Sequence, residues 1–266
     1  MECEGKVVWL TGGGGRIGQV IARTFAREGA CVGVSDIDGA RADAAASAVA
    51  AAGGQAVAVA GDVSIEDDVD RMLAEVTAAL GPVDVLVNCH GVSPNALVMH
   101  MDLATWQAPF LVNTQGCFLT CRAAARQMTT RRAHGCIINI SSGAASSARP
   151  GAAAYCASKA AINMLTQVFA VELGPHGIRV NAVSPGVVTD PPLKPGEAES
   201  EYLNFMIAMT PLGRTGAPSD VAEAVLALAS DRLPWVTGAN LEVTGGSHCG
   251  RTSAPLPERA APRAAP

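Results

Sequence analysis

The chain has 266 residues and a net charge of −5, with 49% of its residues hydrophobic and 16% charged. That balance excludes disordered and fibrous chains, and no apolar run reaches the roughly 18 residues that cross a bilayer. No block of Lys and Arg follows a phosphate backbone or an anionic lipid face, which excludes nucleic acid and membranes as partners.

In chain order, Lys6 to Leu10 reads as a buried strand, and Ile17, Val20, Ile21 and Phe25 then recur at helical spacing. A strand from Ala30 to Val34, a helix from about Gly39 to Ala52 and a strand from Gln55 to Ala60 follow. A helix carrying Ile65, Val69, Met72, Leu73 and Val76 ends at Gly81-Pro82, before a strand from Val83 to Val87. Beyond it come a long helical stretch from Trp106 to Met128, a strand at Cys136 to Ile140, a helix from Ala152 to Leu173 and a strand at Arg179 to Val183. A helix from Asp220 to Ala229 and a strand at Asn240 to Val243 complete the series. Helix-length crossovers between strands predict an α/β fold of the Rossmann type: a doubly wound parallel sheet of about seven strands in three α/β/α layers. One dinucleotide-binding domain is expected over residues 1–250. Its long segment Val187 to Arg214 reads as a substrate loop, and the Pro/Ala/Arg-rich residues 251–266 read as a disordered tail.

Acidic Met1 to Lys6 runs straight into the first strand without the basic start or cleavage site of a signal peptide. The eight cysteines show neither C-x-x-C nor zinc spacing. These features predict a cytoplasmic protein with reduced thiols and no metal.

Between the first strand and first helix stands Thr11-Gly12-Gly13-Gly14-Gly15-Arg16-Ile17-Gly18. Glycines there let the backbone turn sharply and approach a pyrophosphate, whose charge rests on free N–H groups at the helix start. Asp36, eighteen residues beyond Gly18 at the end of the second strand, suits the ribose hydroxyls of NAD and repels the 2′-phosphate of NADP. Arg16, near the phosphates, leaves NADP open.

These residues resemble the short-chain dehydrogenase/reductase family over about Glu4 to Ser247, with Arg16 in place of the middle glycine of T-G-x-x-x-G-x-G. The resemblance extends along the chain. Asp62-Val63 is similar to the adenine-contacting pair, and Asn88-Cys89-His90-Gly91 to N-N-A-G. Asn113 and Ser142 match the family's catalytic Asn and Ser, and Tyr155 to Lys159 matches Y-x-x-x-K. Asn181 to Gly186 resembles the N-x-x-x-P-G segment beside the nicotinamide, which implies cofactor contacts from Pro185, Gly186 and Val188 as well as Gly12, Arg16, Ile17, Gly18, Asn88 and Gly91. The family's following Thr falls one position early, at Thr189.

Tyr155 and Lys159 are four apart on one helix face, so their side chains are expected side by side over a bound ribose and nicotinamide, as cofactor contacts too. A phenol titrates near pH 10, and service as a base near neutrality needs roughly 4 kcal/mol of preference for phenolate, with the Lys159 ammonium and an oxidised nicotinamide as sources. Ser142 is expected to hold the substrate oxygen, and the resemblance gives Asn113 a water beside Lys159. His90, Arg149-Pro150 and Tyr202 are candidate substrate contacts. His100, His134, His176 and His248 read as surface residues, and Asp67, Asp68 and Asp70 as a solvated helix start. Apolar positions on more than one face of the Trp106 to Met128 and Ala152 to Leu173 helices predict a homo-oligomer, a dimer or tetramer.

The expected activity is hydride transfer between a small-molecule secondary alcohol or ketone and NAD. The alternatives are an NADPH-dependent carbonyl reductase and a non-catalytic dinucleotide-binding sensor.

Overall fold

A computed structural model describes residues 1–131 and 134–250; the expected tail at 251–266 lies outside the described residues. The chain begins β1 (Val7–Thr11), α1 (Arg16–Arg27), β2 (Cys31–Asp36), α2 (Gly39–Ala51), β3 (Gln55–Ala60), α3 (Glu66–Leu80) and β4 (Val85–Asn88). It continues with α4 (Leu103–Pro109), α5 (Gly116–Thr130), β5 (Gly135–Ile140), α6 (Ala153–Leu173), β6 (Ile178–Pro185), α7 (Glu201–Ala208), α8 (Pro218–Ala229) and β7 (Asn240–Val243).

The seven strands form one parallel sheet in the order β3-β2-β1-β4-β5-β6-β7. Successive strand side chains point to opposite faces, and in β1 both sets are apolar, as a sheet covered on both sides requires. Val8 and Leu10 pack with Ile21, Phe25, Val221 and Val225 of α1 and α8. Trp9 packs on the other face with Met72, Val76, Leu86 and Met128 of α3, β4 and α5. Its indole N–H donates to Ser35 Oγ at 3.0 Å, so this large buried ring leaves no polar atom unpaired. The connections leave β1 and β4 in opposite directions along the sheet, opening a crevice at their C-terminal ends, where doubly wound folds place ligands.

Two elements differ from the sequence pattern. Strand β4 starts at Val85 rather than Val83, because Val83 gives its N–H to Gln127 Oε1 (2.8 Å) and its carbonyl to Arg131 (3.1 Å) instead of to the sheet. The helical stretch around Trp106 to Met128 is not continuous. Pro109 ends α4, and residues Phe110–Gln115 form a π-helical turn before α5 begins. Proline brings no N–H to the ladder, and the wider turn that follows shifts the register of every later side chain. The segment 187–214 is less irregular than its prolines suggest, since it carries α7, anchored by the buried Ile207.

Candidate active site

At the end of β1 the chain turns through Gly12, whose φ of +64° is the left-handed region that disfavours other residues. A Cβ on Gly12 would stand 2.5 Å from the backbone of His90, and one on Gly18 would collide with the Gly12 carbonyl. The turn is thus pressed against its neighbours along its length. It ends at Gly15, which brings no capping side chain to α1. The first N–H groups of that helix have no intrahelical acceptor, and they face a cleft with the positive end of the helix dipole behind them. A bare-backbone cradle of this kind fits a pyrophosphate.

Asp36 is buried below the turn. Its Oδ2 accepts the Gly14 N–H at 3.0 Å and its Oδ1 the Asp38 N–H at 3.2 Å. Arg41 donates to the Gly14 carbonyl from both Nε and Nη2, at 3.3 and 3.1 Å. Sequence reasoning missed Arg41. It lies on α2, outside every motif, and only the closeness of Gly14 to that helix puts its guanidinium on the carbonyl of the residue whose N–H Asp36 accepts. Asp62 accepts from the N–H and hydroxyl of Ser64, both at 2.8 Å, and Val63 is buried next to it. Asp68, on the α3 first turn, lies below the ordinary carboxylate range because the Asp62 N–H and Arg71 both donate to it.

The floor is a buried polar chain. Asn88 Nδ2 donates to Asn139 Oδ1 at 2.9 Å, its Oδ1 accepts from Thr11 (3.2 Å) and Thr120 (2.8 Å), and Asn139 Nδ2 donates to Thr166 (3.0 Å). The chain ties β1, β4 and β5 to α5 and α6. Asn139 carried no role in the sequence reading, although its register opposite Asn88 follows from strand pairing. His90 meets Thr11 Oγ1 at 2.7 Å, and the Val112 carbonyl takes its other contact. Burial drives its pKa down to about 3, with the nearby Lys159 charge adding to the shift. The ring is therefore neutral and bonded to the floor, and His90 lines the cleft it shares with Ser142 and Tyr155.

Ser142 follows β5, and its hydroxyl accepts the Ala144 N–H at 3.1 Å. Tyr155, on the first turn of α6, is pushed above the usual phenol value by burial. A hydrogen bond from Ser142 and the Arg149 charge pull the other way. Lys159 Nζ lies 5.8 Å from the Tyr155 ring centroid and donates to the Ile140 carbonyl at 2.7 Å. Burial lowers its pKa to about 8. The helical spacing sets the two side by side as expected. The Lys159 proton, however, is held by a carbonyl, and the phenol shifts upward rather than down.

Asn113 is fully buried within the π-helical turn. Its Oδ1 accepts the Val92 N–H at 2.8 Å, and its Nδ2 donates to the Val92 carbonyl and to Ser158 Oγ, both at 3.0 Å. A Cβ on Gly91 would fall 3.3 Å from Asn113 Oδ1 and 3.5 Å from Lys159 Nζ, so both side chains border Gly91.

Gly15, Arg16, Ile17, Gly18, Gly91, Ser142, Tyr155, Lys159, Pro185, Gly186 and Val188 all line one cleft of about 350 Å³. Arg16 is exposed at its mouth. Thr189 stands apart, its hydroxyl 2.6 Å from that of Thr215 and its N–H bound to the Gly216 carbonyl. A second cavity, about 560 Å³, meets the first at Tyr155 and is walled by Arg149, Pro150, Tyr202, Phe205, Met206 and His248. His248 is exposed but belongs to this wall, with Nδ1 2.6 Å from Thr244 Oγ1, a placement its surface reading missed. A larger cavity of about 610 Å³ opens at the opposite ends of the strands, around Lys6, Asp84 and Arg179, away from all these residues.

The family described as Enoyl-(Acyl carrier protein) reductase matches residues 15–248. A (3R)-3-hydroxyacyl-CoA dehydrogenase of Canis lupus familiaris is 39% identical over 92% of this chain and 97% of its own length. A 3beta-hydroxysteroid dehydrogenase 1 of Eggerthella lenta is 38% identical over 92% of this chain and 94% of its own. The crystal structure of a short-chain type dehydrogenase/reductase from Mycobacterium marinum superposes with a TM-score of 0.87 at 34% identity, covering 94% of this chain and 98% of that one.

Proposed function

Because the chain belongs to the short-chain dehydrogenase/reductase family and is an oxidoreductase that interconverts alcohols and ketones with a nicotinamide dinucleotide, we propose that it uses NAD and that Tyr155 is its acid/base. The binding-only alternative falls with the enzyme assignment. The observation that carries the reading is the meeting of a glycine cradle, the Ser142 hydroxyl and the Tyr155 phenol in one cleft, which opens through Tyr155 into a mostly apolar cavity. A single domain over residues 1–250 holds both, with 187–214 closing the substrate side.

When bound, the dinucleotide supplies the hydride acceptor or donor and, in its oxidised form, a positive charge. The protein supplies position and protons. Gly12 to Gly18 and the α1 N-terminus would hold the pyrophosphate, Asp36 the adenosine ribose, Asp62 and Val63 the adenine, and Asn88, Gly91, Pro185, Gly186 and Val188 the remainder. Ser142 donates to the substrate oxygen and keeps it within reach of the Tyr155 hydroxyl. In reduction Tyr155 gives its proton to that oxygen, a role the upward shift of the buried phenol favours. In oxidation it takes the proton as phenolate, a form that the Lys159 charge and an oxidised nicotinamide, when bound, would stabilise. Lys159, with its pKa brought down to about 8, can release a proton near neutrality, and Asn113, which borders Gly91 as Lys159 does, would hold the water that carries it out.

The preference for NAD rests on the buried Asp36 carboxylate, which a 2′-phosphate would have to approach at close range. An NADPH-dependent reductase is the second reading, favoured by the Arg41 guanidinium on the Gly14 carbonyl and by exposed Arg16. Affinities for NADH and NADPH decide between them. Exposed Leu103, Phe118, Met164, Val168 and Val171 on α4, α5 and α6 support a homo-oligomer built on these helices. The eight unpaired cysteines suit a cytoplasmic setting.

The test is a panel of secondary alcohols and ketones with each dinucleotide, followed at the reduced-nicotinamide absorbance. Tyr155→Phe is expected to lower kcat by about 10²–10⁴-fold while NADH affinity, read by fluorescence titration, stays within about twofold of wild type. Turnover that survives the substitution overturns the assignment of Tyr155.

A further inference from the structure

The substrate cavity is not uniformly apolar. Tyr202, Phe205, Met206 and Pro150 give it a hydrophobic wall; among the described residues no Asp or Glu lines it, and the one permanent cation that does is Arg149. Among the described residues Arg149 has no ion-pair or hydrogen-bond partner for its guanidinium. In the substrate segment, by contrast, Arg214 is paired with Asp220.

Nor is Arg149 on a free loop end. Its carbonyl accepts the Ala152 N–H at 3.2 Å, and the Gly151 carbonyl accepts the Ala96 N–H at 2.9 Å, so the turn is tied to α6 on one side and to the 91–97 segment on the other. Its charge is felt at the Tyr155 phenol. An unpaired guanidinium on an anchored turn, lining the same cavity as Tyr155 with no acid among the other described lining residues, is an anion receptor.

Resting on the oxidoreductase reading above, we propose that Arg149 binds an acidic group of the substrate, and that the preferred substrates are secondary alcohols or ketones carrying a carboxylate or similar anion close to the reacting carbon. The remainder of such a molecule lies against Tyr202, Phe205 and Met206. The cavity of about 560 Å³ accommodates an amphipathic acid of several carbons with space left over.

The test compares kcat/KM for 2-, 3- and 4-oxohexanoate with that for 2- and 3-hexanone in wild type, Arg149→Gln and Arg149→Lys. Wild type is expected to favour at least one oxo acid over the neutral ketones. Arg149→Gln should lower that acid-to-neutral ratio by about 10–100-fold, the usual consequence of losing a charge-assisted hydrogen bond, and Arg149→Lys should retain most of it. Any influence of Arg149 on Tyr155 acts on both substrate classes and cancels in the ratio.

Calorimetric binding of hexanoate against hexanamide, with and without NADH, reads the same preference without turnover. A wild-type ratio near one, a ratio that Arg149→Gln leaves intact, or equal binding of hexanoate and hexanamide overturns the role of Arg149. Failure to turn over any ketone with either dinucleotide overturns the oxidoreductase mechanism instead, and the hexanoate comparison still decides the anion receptor.

Discussion

The two sides of the cleft are held by different physics. On the cofactor side, at the ends of β1, β2 and β4, polar groups are tied to one another: Gly14 to Asp36, Thr11 to His90 and Asn88, and Asn88 to Asn139. In the glycine turn there, a Cβ on Gly12 or Gly18 would collide with backbone. On the substrate side Tyr202 and Phe205 are 53% and 61% exposed, and the wall is mostly side-chain surface. A site that must hold atoms within fractions of an ångström is built from directional bonds and hard contacts, each of which tolerates few residue types. A site that recognises shape and apolar surface tolerates many.

Steric tightness gives the sharpest test of that division. Gly12→Ala places a Cβ 2.5 Å from the His90 backbone at a φ of +64°, whereas Gly196→Ala, in the substrate segment at a φ of +83°, meets nothing within 4 Å. The first should cost about 3 kcal/mol or more, from left-handed strain plus displacement of the turn. It should also weaken NADH binding by at least about tenfold. The second should cost about 1 kcal/mol of strain alone and leave NADH binding as it was. Thermal unfolding and NADH titration of both variants read the difference, and equal losses would break the contrast.

The floor also carries an acid liability that the wall does not explain. His90 is ordinarily protonated below about pH 6.5 when unfolded, yet in the fold its pKa is about 3. Above pH 6.5 both states are neutral and the ring costs nothing. As pH falls from 6.5 toward 3 the unfolded chain binds a proton that the folded chain refuses, so stability is lost, by roughly 2 kcal/mol at pH 5. His90→Ala removes the ring and should flatten that part of the curve, while costing stability at pH 7 through the lost Thr11 bond. Urea unfolding of both proteins at pH 7 and pH 5 measures it. An unchanged difference between the two pH values would show that the ring titrates in the fold.

What the sequence disclosed follows the same line. Strand and helix periodicity and the glycine turn located the crevice, because both faces of the sheet must be apolar and the turn needs glycine at set places. Ser142, Tyr155 and Lys159 share one cleft because a strand end and an i,i+4 helix pair are local geometry. Three features arise from tertiary packing alone. Arg41 reaches Gly14 only through the packing of α2 on the turn. His90 turns inward because Thr11 and the π-helical turn offer it partners from distant sequence. The Tyr155 shift is set by burial, which no spacing reports.

The smallest expected effect belongs to the wall. Phe205 is mostly exposed on α7, so its ring gains burial when an apolar substrate body settles on it, in the ground state and transition state alike. Phe205→Ala should forfeit about 1 kcal/mol of that burial, since only part of the ring faces the cavity. The loss should appear as a KM raised roughly three- to tenfold with kcat within about twofold of wild type. Tyr155→Phe is expected to do the reverse, lowering kcat while leaving binding in place. If Phe205→Ala instead lowers kcat as far as it lowers kcat/KM, the ring acts on the transition state. The wall would then share the positional demands of the floor, and the exposed α7 side chains would have to close over the substrate before the proton moves.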